Sequence, residues 1–186
     1  MEICFRQAGP DDQVVVLEIL NEAAEWLRLR GIEQWPAHFN TADWRSNRIG
    51  KYIDSGESWL VLVDGEPAAT FNLTDQADPD YAAGWPDGTK NALYIYRMAV
   101  RRKWAGYDLG TFILDWAEAR AACEDKAWLR LDCHRRNRTL QEFYERRGFA
   151  RVNTLITTID DRGTPYTRGS GALYQRPTAN AASTGR

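Results

Sequence analysis

The sequence is poor in cysteine and histidine, and this shortage limits the chemistry that can be expected of it. The 186 residues include only three cysteines, Cys4, Cys123 and Cys133, and two histidines, His38 and His134. An odd number of cysteines without a CxxC spacing argues against a disulfide framework and against a zinc site. The histidines are not spaced as a metal-binding pair, and no nucleophile motif of a Ser-His-Asp hydrolase is evident. We therefore expect reduced thiols and no metal.

Long hydrophobic runs are also missing. The first residues, MEICFRQAGPDD, become acidic within two positions and lack the apolar centre of a secretory signal. No apolar run elsewhere approaches the length of a membrane-spanning helix. Together with the expected reduced thiols, this predicts a cytoplasmic protein that does not enter the membrane.

The sequence has no excess of positive charge. Its 24 Lys and Arg stand against 26 Asp and Glu, for a net charge of −2, which argues against nucleic acid as a partner. The cations instead form local clusters at positions 101–103, 135–138 and 146–147. Such clusters favour a small polyanionic ligand, although solvated helix ends would give the same pattern.

What the sequence does contain is a succession of strand and helix patterns. A strand at residues 2–7 precedes two helices, which should end near Arg30-Gly31 and Asp54, and a hairpin turns at Asp64-Gly65. After a long loop at residues 75–91, strands and helices alternate up to a last strand at Leu173-Tyr174. We expect one α/β (α+β) domain over residues 1–175, with a mixed sheet and helices on its faces, and a disordered tail over residues 176–186.

The stretch from residue 92 to 122 has a pattern typical of phosphate binding. A strand leads through a basic turn containing Gly106 and Gly110 into an amphipathic helix. The free N–H groups of a first helical turn, together with the positive end of the helix dipole, attract phosphate. Arg101, Arg102 and Lys103 precede the turn, and we expect at least one of them to face the ligand.

Two motifs in this order resemble the GCN5-related N-acetyltransferase (GNAT) superfamily, and the element order extends the resemblance over residues 2–175. The first motif is the strand ending at residues 97–100 with the turn that follows it, which is similar to the family's fourth strand and pyrophosphate loop. The second is Asn137, then Phe143-Tyr144 and Gly148-Phe149, which is similar to the family's Asn and its Y…GF ending. The resemblance implies a mostly antiparallel sheet, splayed centrally for acyl-CoA.

The resemblance also implies acetyl-CoA as the cofactor and assigns residues to it. The backbone of the strand would hold the pantetheine arm, and the N–H groups of the turn would hold the pyrophosphate: Met98, Ala99 and Val100 in the strand, and Ala105, Gly106, Tyr107, Asp108, Leu109, Gly110 and Thr111 in the turn. Asn137 would bond to the pantetheine arm, and Tyr144 would act as general acid for the leaving thiolate. Without the resemblance, Tyr144 would be interpreted as a core aromatic and Asn137 as a turn or helix cap.

The turn departs from the family pattern at two positions. Ala105 stands where the family has Gln or Arg, and Asp108 stands where it has the central Gly. A carboxylate beside a pyrophosphate is repulsive, and Asp adopts a positive φ less readily than Gly. We expect Asp108 either to turn outward or to cap the helix and compete with the phosphate, and the sequence leaves open whether it weakens binding of CoA.

The acceptor pocket and the general base are less well defined by the sequence. Glu33, Trp35 and His38 lie in the connector between the first two helices, which borders the acceptor pocket in the family. Asp132 ends a neighbouring strand and is a candidate base with a structural alternative, and His134 just beyond it is interpreted as a loop residue. Cys133 is an alternative nucleophile for an acyl-enzyme route.

The sequence therefore predicts direct transfer of an acetyl group from acetyl-CoA to an amine on a small molecule or a peptide. A non-catalytic acyl-CoA-binding or sensing module on the same fold is the alternative. A Rossmann nucleotide-binding protein is disfavoured because no G-x-G-x-x-G is present. The sequence leaves open whether the protein is a homodimer.

Overall fold

The computed structural model describes residues 1–32, 34–35, 42–154, 157–159, 163–167 and 170–181. The helices within these residues are α1 (Gln13–Leu29), α2 (Ala42–Asp54), α3 (Leu109–Cys123) and α4 (Arg138–Glu145). The strands are β1 (Ile3–Gln7), β2 (Ser58–Val63), β3 (Glu66–Thr74), β4 (Ala92–Val100), β5 (Trp128–His134), β6 (Ala150–Thr154), β7 (Thr157–Ile159), β8 (Pro165–Thr167) and β9 (Ser170–Pro177).

Seven of these strands form one mixed, mostly antiparallel open sheet in the order β1-β2-β3-β4-β5-β9-β6, and β7 pairs with β8 separately. The α/β class expected from the sequence is confirmed. β4 and β5 are parallel, and the pairs between them run from Ala92–Trp128 to Tyr94–Arg130. Both strands continue beyond the last of these pairs, β4 as far as Val100. The edge of β4 that follows Tyr94 is therefore not used in pairs with β5.

The chain forms two compact units, and the first consists of Met1–Ile32, Pro36–Leu73 and Ile95–Asp115. The hairpin between β2 and β3 turns at Asp64 (φ 50°) and Gly65 (φ 83°), both left-handed as a two-residue hairpin requires. The apolar residues of α1 are only partly buried. Val16, Ile19 and Leu20 are buried, whereas Ala23 and Leu27 are partly exposed.

The second unit consists of Glu33–Trp35, Thr74–Tyr94 and Trp116–Arg186. It includes the long loop at residues 75–91, which contains a short 3-10 helix, Pro79–Gly84, and buries Tyr81 and Trp85. Arg130 of β5 anchors this loop although its side chain has no exposed surface. Its guanidinium pairs with Asp87 and lies 4.8 Å from the ring centroid of Trp85. The loop is thus a packed part of the second unit.

The C-terminal residues correct one boundary of the sequence prediction. β9 runs to Pro177, past the predicted start of a disordered tail at residue 176. The backbone N–H of Thr178 donates to the Ala127 carbonyl (2.8 Å), and the side-chain Nδ2 of Asn180 donates to the Ala122 carbonyl (2.6 Å). Residues 176–181 are therefore held by hydrogen bonds, and residues 182–186 lie outside the described residues. The single-domain organisation remains a prediction.

Two features near the end of the chain depend on more than local sequence. Residues 150–154 form β6, which pairs with β9, and residues 157–159 form β7, which pairs with β8. Asn137 caps α4, and Thr139 lies inside the helix. Asn and Thr are both good cap residues, so the sequence alone does not separate them.

Candidate active site

The turn between β4 and α3 reverses the chain with two left-handed residues. A short 3-10 helix, Arg102–Trp104, follows β4, and the backbone then passes through Gly106 (φ 88°) and Asp108 (φ 57°) before α3 begins at Leu109. A Cβ at Gly106 would meet nothing within 4 Å, so open space borders the backbone there. The turn therefore has room for a ligand to approach the main chain closely.

The N–H groups of the turn are not equivalent. Those of Ala105, Tyr107 and Thr111 donate to carbonyls of the turn itself, over 3.1, 3.3 and 2.9 Å. Leu109 and Gly110 lie in the first turn of α3, where an α-helix provides no acceptor for its N–H groups. Their positions at the positive end of the helix dipole suit a phosphate oxygen.

Asp108 directs its carboxylate towards the start of α3. Its Oδ1 accepts a hydrogen bond from the Thr111 hydroxyl (2.7 Å), and its carbonyl accepts from the N–H groups of Thr111 and Phe112. The departure from the family pattern thus places a negative charge at the end of the helix that would attract phosphate. Of the two arrangements expected from the sequence, the structure favours the one in which Asp108 bonds to the first turn.

The three cations before the turn all have partners in the protein. The Arg101 guanidinium pairs with Glu18 (3.0 Å) and Glu22 (3.4 Å) of α1, and Lys103 pairs with Glu66 of β3. The Arg102 guanidinium lies 4.1 Å from the ring centroid of Trp26, and its N–H donates to Glu22 (2.5 Å).

The expectation that one of these cations faces phosphate therefore finds no support in these contacts. The acidic side chains of α1 offset much of the positive charge, and the backbone dipoles of α3 become the main attraction for an anion. An apolar cluster includes residues on both sides of the turn. Its buried residues are Val63, Ala68 and Leu109, and Ile3, Val100 and Trp104 pack against them.

β4 contains an unusual backbone conformation just before the strand residues assigned to pantetheine. Arg97 has φ 51°, a value that is uncommon for a residue with a long side chain. Its guanidinium lies 4.8 Å from the ring centroid of Tyr52 on α2. Met98, Ala99 and Val100 follow directly and complete the strand. Sequence patterns gave no signal for this conformation, because Arg is not a residue that marks a positive φ.

Asn137 has a structural role at the start of α4, in the second unit. Its Oδ1 accepts from the Leu140 N–H (3.2 Å), which caps the helix, and its Nδ2 donates to Gln34 Oε1 (3.1 Å). Gln34 Oε1 also accepts from the His134 N–H (3.3 Å). Gln34 thus ties the connector before α2 to the start of α4, and the sequence gave no indication of its part.

The residues suggested for the acceptor pocket are only partly described. Trp35 follows Gln34 and is half-buried. Glu33 and His38 lie outside the described residues, so the structure does not bear on them.

Tyr144 of α4 is buried in an aromatic cluster with only 6% of its surface exposed. Its ring centroid lies 5.4 Å from Phe143, 5.8 Å from Phe149 and 6.2 Å from Tyr174. Burial raises the pKa of its hydroxyl well above the usual range, and nearby Cys133 and Asp132 add to this effect. The phenol is therefore protonated at neutral pH, as a general acid must be.

The remaining candidate groups on β5 are each engaged or buried. Cys133 has no exposed surface, and burial raises the pKa of its thiol to about 12, so it is not a thiolate at neutral pH. Asp132 accepts a hydrogen bond from the Ser170 hydroxyl. His134 is buried, and its Nδ1 accepts from the Arg136 N–H (3.3 Å). The acyl-enzyme alternative is therefore disfavoured on physical grounds.

Two kinds of feature do not occur in the part of the chain that the structure describes. Across the described residues, no helix is both long and apolar enough to cross a bilayer. Within the same part of the chain, no group of three or more His, Cys, Asp or Glu side chains is placed to hold a metal ion.

The fold and the strand–turn–helix arrangement agree with the acetyltransferase class that the sequence resembles. The family model described as the acetyltransferase (GNAT) family matches residues 18–149. The chain is also 33% identical, over 140 residues, to the uncharacterised N-acetyltransferase YesJ of Bacillus subtilis (strain 168), which covers 75% of this chain and 77% of that protein. The chain therefore belongs to the acetyltransferase (GNAT) family, and the protein is an N-acetyltransferase.

Solved structures of the family have the same fold. An acetyltransferase of the GNAT family from Listeria monocytogenes 4b F2365 matches with a TM-score of 0.75 and 25% identity, over 95% of each chain. The PaiA N-acetyltransferase of Thermoplasma acidophilum, solved in complex with coenzyme A, matches with a TM-score of 0.68 and 17% identity, over 95% of this chain and 99% of that one. At 17% identity, the similarity to the Thermoplasma protein shows a shared fold only.

Proposed function

We propose that this N-acetyltransferase takes its acetyl group from acetyl-CoA and transfers it directly to an amine on a small molecule or a peptide. The observation that carries the proposal is the turn before α3, where Gly106 leaves open space beside the backbone. The N–H groups of Leu109 and Gly110 lie in the first helical turn next to it. This arrangement suits the pyrophosphate of CoA.

The strand before the turn would hold the rest of the cofactor. β4 beyond Tyr94 is not used in pairs with β5, so its main chain is suited to accept the pantetheine arm as an added strand. Met98, Ala99 and Val100 would supply these backbone groups. A main-chain amide near Met98 would polarise the thioester carbonyl, and Asn137 would contribute beyond its role as a helix cap.

The chemical step would need no covalent enzyme intermediate. The nitrogen of a neutral amine attacks the thioester carbon, and the carbon–sulfur bond breaks while Tyr144 donates a proton to the leaving thiolate. The proton that the amine nitrogen then loses passes through solvent and restores the Tyr144 phenol. Burial keeps the Tyr144 phenol protonated at neutral pH, which a general acid requires, and the burial of Cys133 supports direct transfer. A cytoplasmic location belongs to the same proposal, supported by three cysteines that are all free.

The test compares two glycines that both have a positive φ and open space where a Cβ would lie. Gly106→Ala adds a methyl group in the proposed pyrophosphate site, and Gly65→Ala adds one at the hairpin tip, where φ is 83° and nothing lies within 4 Å of the new Cβ. Both substitutions strain the backbone, so both should lower stability to a similar degree. Only Gly106→Ala should also weaken binding of acetyl-CoA in calorimetry and slow release of thiol with amine acceptors.

Two results would speak against the proposal. Equal acetyl-CoA affinity in the two variants would remove the turn as the phosphate site. Binding of acetyl-CoA to the wild-type protein without thiol release across a broad panel of amines would favour the non-catalytic sensing module instead.

A further inference from the structure

A cavity of about 510 Å³ in the first unit is lined by Asn47, Arg48, Lys51, Tyr52 and Glu57. Its volume lies within the range of small-molecule sites. The four helical residues fall on adjacent turns of α2, so they present one side of that helix.

Glu57 is held next to this surface by its own backbone. Its N–H donates to the Tyr52 carbonyl (2.8 Å), and its carbonyl accepts from the Leu73 N–H of β3 (2.8 Å). The cavity wall is therefore built from a helix and a segment fixed by strand and helix contacts.

The charge of the cavity wall is positive on balance. Arg48 and Lys51 carry two positive charges, and Glu57 carries one negative charge. The Arg97 guanidinium is a further cation behind the wall, 4.8 Å from the ring centroid of the lining residue Tyr52. A surface with cations and one carboxylate suits a ligand that carries an anionic group as well as an amine.

Arg97 contacts Tyr52 of the cavity wall and precedes the proposed acetyl site in the chain. This residue adopts φ 51° within β4, and such sparsely populated conformations persist where the surrounding structure fixes them, often at functional sites. The next residue is Met98, whose main-chain amide is proposed to polarise the thioester. Tyr52, which lines the cavity, therefore contacts the residue that directly precedes the proposed acetyl position in β4.

We infer that this cavity binds the acceptor and that the acceptor is an amine bearing a carboxylate or another anionic group, held by Arg48 and Lys51. The inference rests on the proposed function for the identity of the ligand as an acceptor. The anion would contact the two cations of α2, and the amine would extend towards Arg97 and β4. Glu57 supplies the negative charge that a zwitterionic acceptor would meet in the same cavity.

The test compares amine acceptors with and without an anionic group, and release of CoA measures the acetylation of each. The common L-amino acids, 4-aminobutyrate and 2-aminoethylphosphonate carry an anion, and amino-acid carboxamides, pentylamine and spermidine do not. We expect acetylation to favour the anionic members. Arg48→Gln and Lys51→Gln should each lower kcat/KM for them by about tenfold or more, because each removes a hydrogen bond to a charged group. The carboxamides should change little.

Arg28→Gln serves as the control, since Arg28 is an exposed cation on α1 that pairs with Glu25. It should leave kcat/KM unchanged for every acceptor. Thermal unfolding of all variants checks that the two α2 substitutions leave the fold intact.

The outcomes separate the acceptor class from the proposed function. Suppose that acetyl-CoA binds, that neutral or cationic amines are better acceptors than the anionic ones, and that the α2 variants show the same preference as the wild type. The acceptor class is then overturned and the proposed function stands. If acetyl-CoA does not bind, the proposed function fails. Calorimetry with the anionic amines then tests whether the cavity is an anion-binding site. Saturable binding that is lost in the Arg48→Gln/Lys51→Gln double variant supports such a site, and no binding to the wild type overturns it.

Discussion

The carboxylate of Asp87 accepts a hydrogen bond from the guanidinium of Arg130, a side chain with no exposed surface in the middle of β5. The guanidinium also donates to the Gly88 carbonyl (2.5 Å) and to the Tyr94 hydroxyl (3.3 Å). One buried cation thus holds two neighbouring residues of the long loop and one residue of β4. Burying a charge is costly unless it is paired, so the loop and the strand depend on each other.

The first prediction concerns this ion pair. Asp87→Ala should lower the free energy of unfolding by about 2 kcal/mol, because it leaves the Arg130 charge buried with neutral partners only. The loss should be smaller than for a fully buried pair, since Asp87 itself is 45% exposed. Glu124→Ala, which breaks the exposed pair with Arg120, should cost at most about 0.5 kcal/mol. Urea unfolding of both variants measures the difference, and equal losses would contradict the anchoring role of Arg130.

Local patterns predicted much of the fold because they depend on neighbouring residues. Asp64-Gly65 indicated a two-residue hairpin, and the glycine turn before Leu109 indicated a helix start, and both are confirmed. These features follow from the φ values that Gly and Asp accept and from the hydrophobic period of a helix.

The features that the sequence did not reveal depend on residues far apart in the chain. Arg130 finds Asp87 43 residues away, and Arg101 finds Glu18 83 residues away. In the strand sequence Arg130 stands between Leu129 and Leu131, and Arg101 is one of three cations of which at least one was expected to face phosphate. Only the three-dimensional arrangement shows that protein carboxylates already take both charges.

The second prediction concerns Asp108. Asp108→Asn should tighten acetyl-CoA binding about fivefold at low salt, because a unit charge near the pyrophosphate is worth about 1 kcal/mol in water. Asn still tolerates the left-handed backbone at this position and can accept from the Thr111 hydroxyl. Asp125, which has φ 56° just beyond α3, provides the matched control, and Asp125→Asn should have no effect. Calorimetry at two ionic strengths makes the comparison.

Salt dependence is part of that prediction. The advantage of Asp108→Asn should shrink as ionic strength rises, since salt screens exposed charges. Unchanged or weaker binding at low salt would show that Asp108 does not oppose the cofactor.

The third prediction concerns the cysteines. Cys4 and Cys123 are exposed, whereas Cys133 is fully buried and the pKa of its thiol is raised to about 12. A disulfide reagent at pH 8 should therefore label two thiols quickly in the folded protein and the third only after unfolding, because the thiolate is the reactive form. Cys133→Ala should retain acetyl transfer. Rapid labelling of three thiols, or an acetyl group trapped on Cys133, would revive the acyl-enzyme route.

The last prediction concerns Tyr144 and its neighbour Tyr174. Tyr144→Phe should lower kcat about 100-fold or more while leaving acetyl-CoA affinity unchanged, because loss of a general acid affects the chemical step. Tyr174→Phe is the matched control: its hydroxyl donates to Glu145 (3.0 Å), so the substitution should cost about 1 kcal/mol of stability and leave kcat near the wild-type value. Stopped assays of thiol release, with urea unfolding alongside, separate the two effects.

The pH dependence of the wild-type rate provides the second readout for Tyr144. An unperturbed phenol loses its proton near pH 10, and burial raises the pKa of Tyr144 above that value. Its protonated form, which is the active one, is then fully populated below pH 10 and is lost only as the pH rises through the raised pKa. The kcat profile should therefore show no decline on its alkaline side below about pH 10. A decline that disappears in Tyr144→Phe would mean that this phenol ionises earlier than its burial allows.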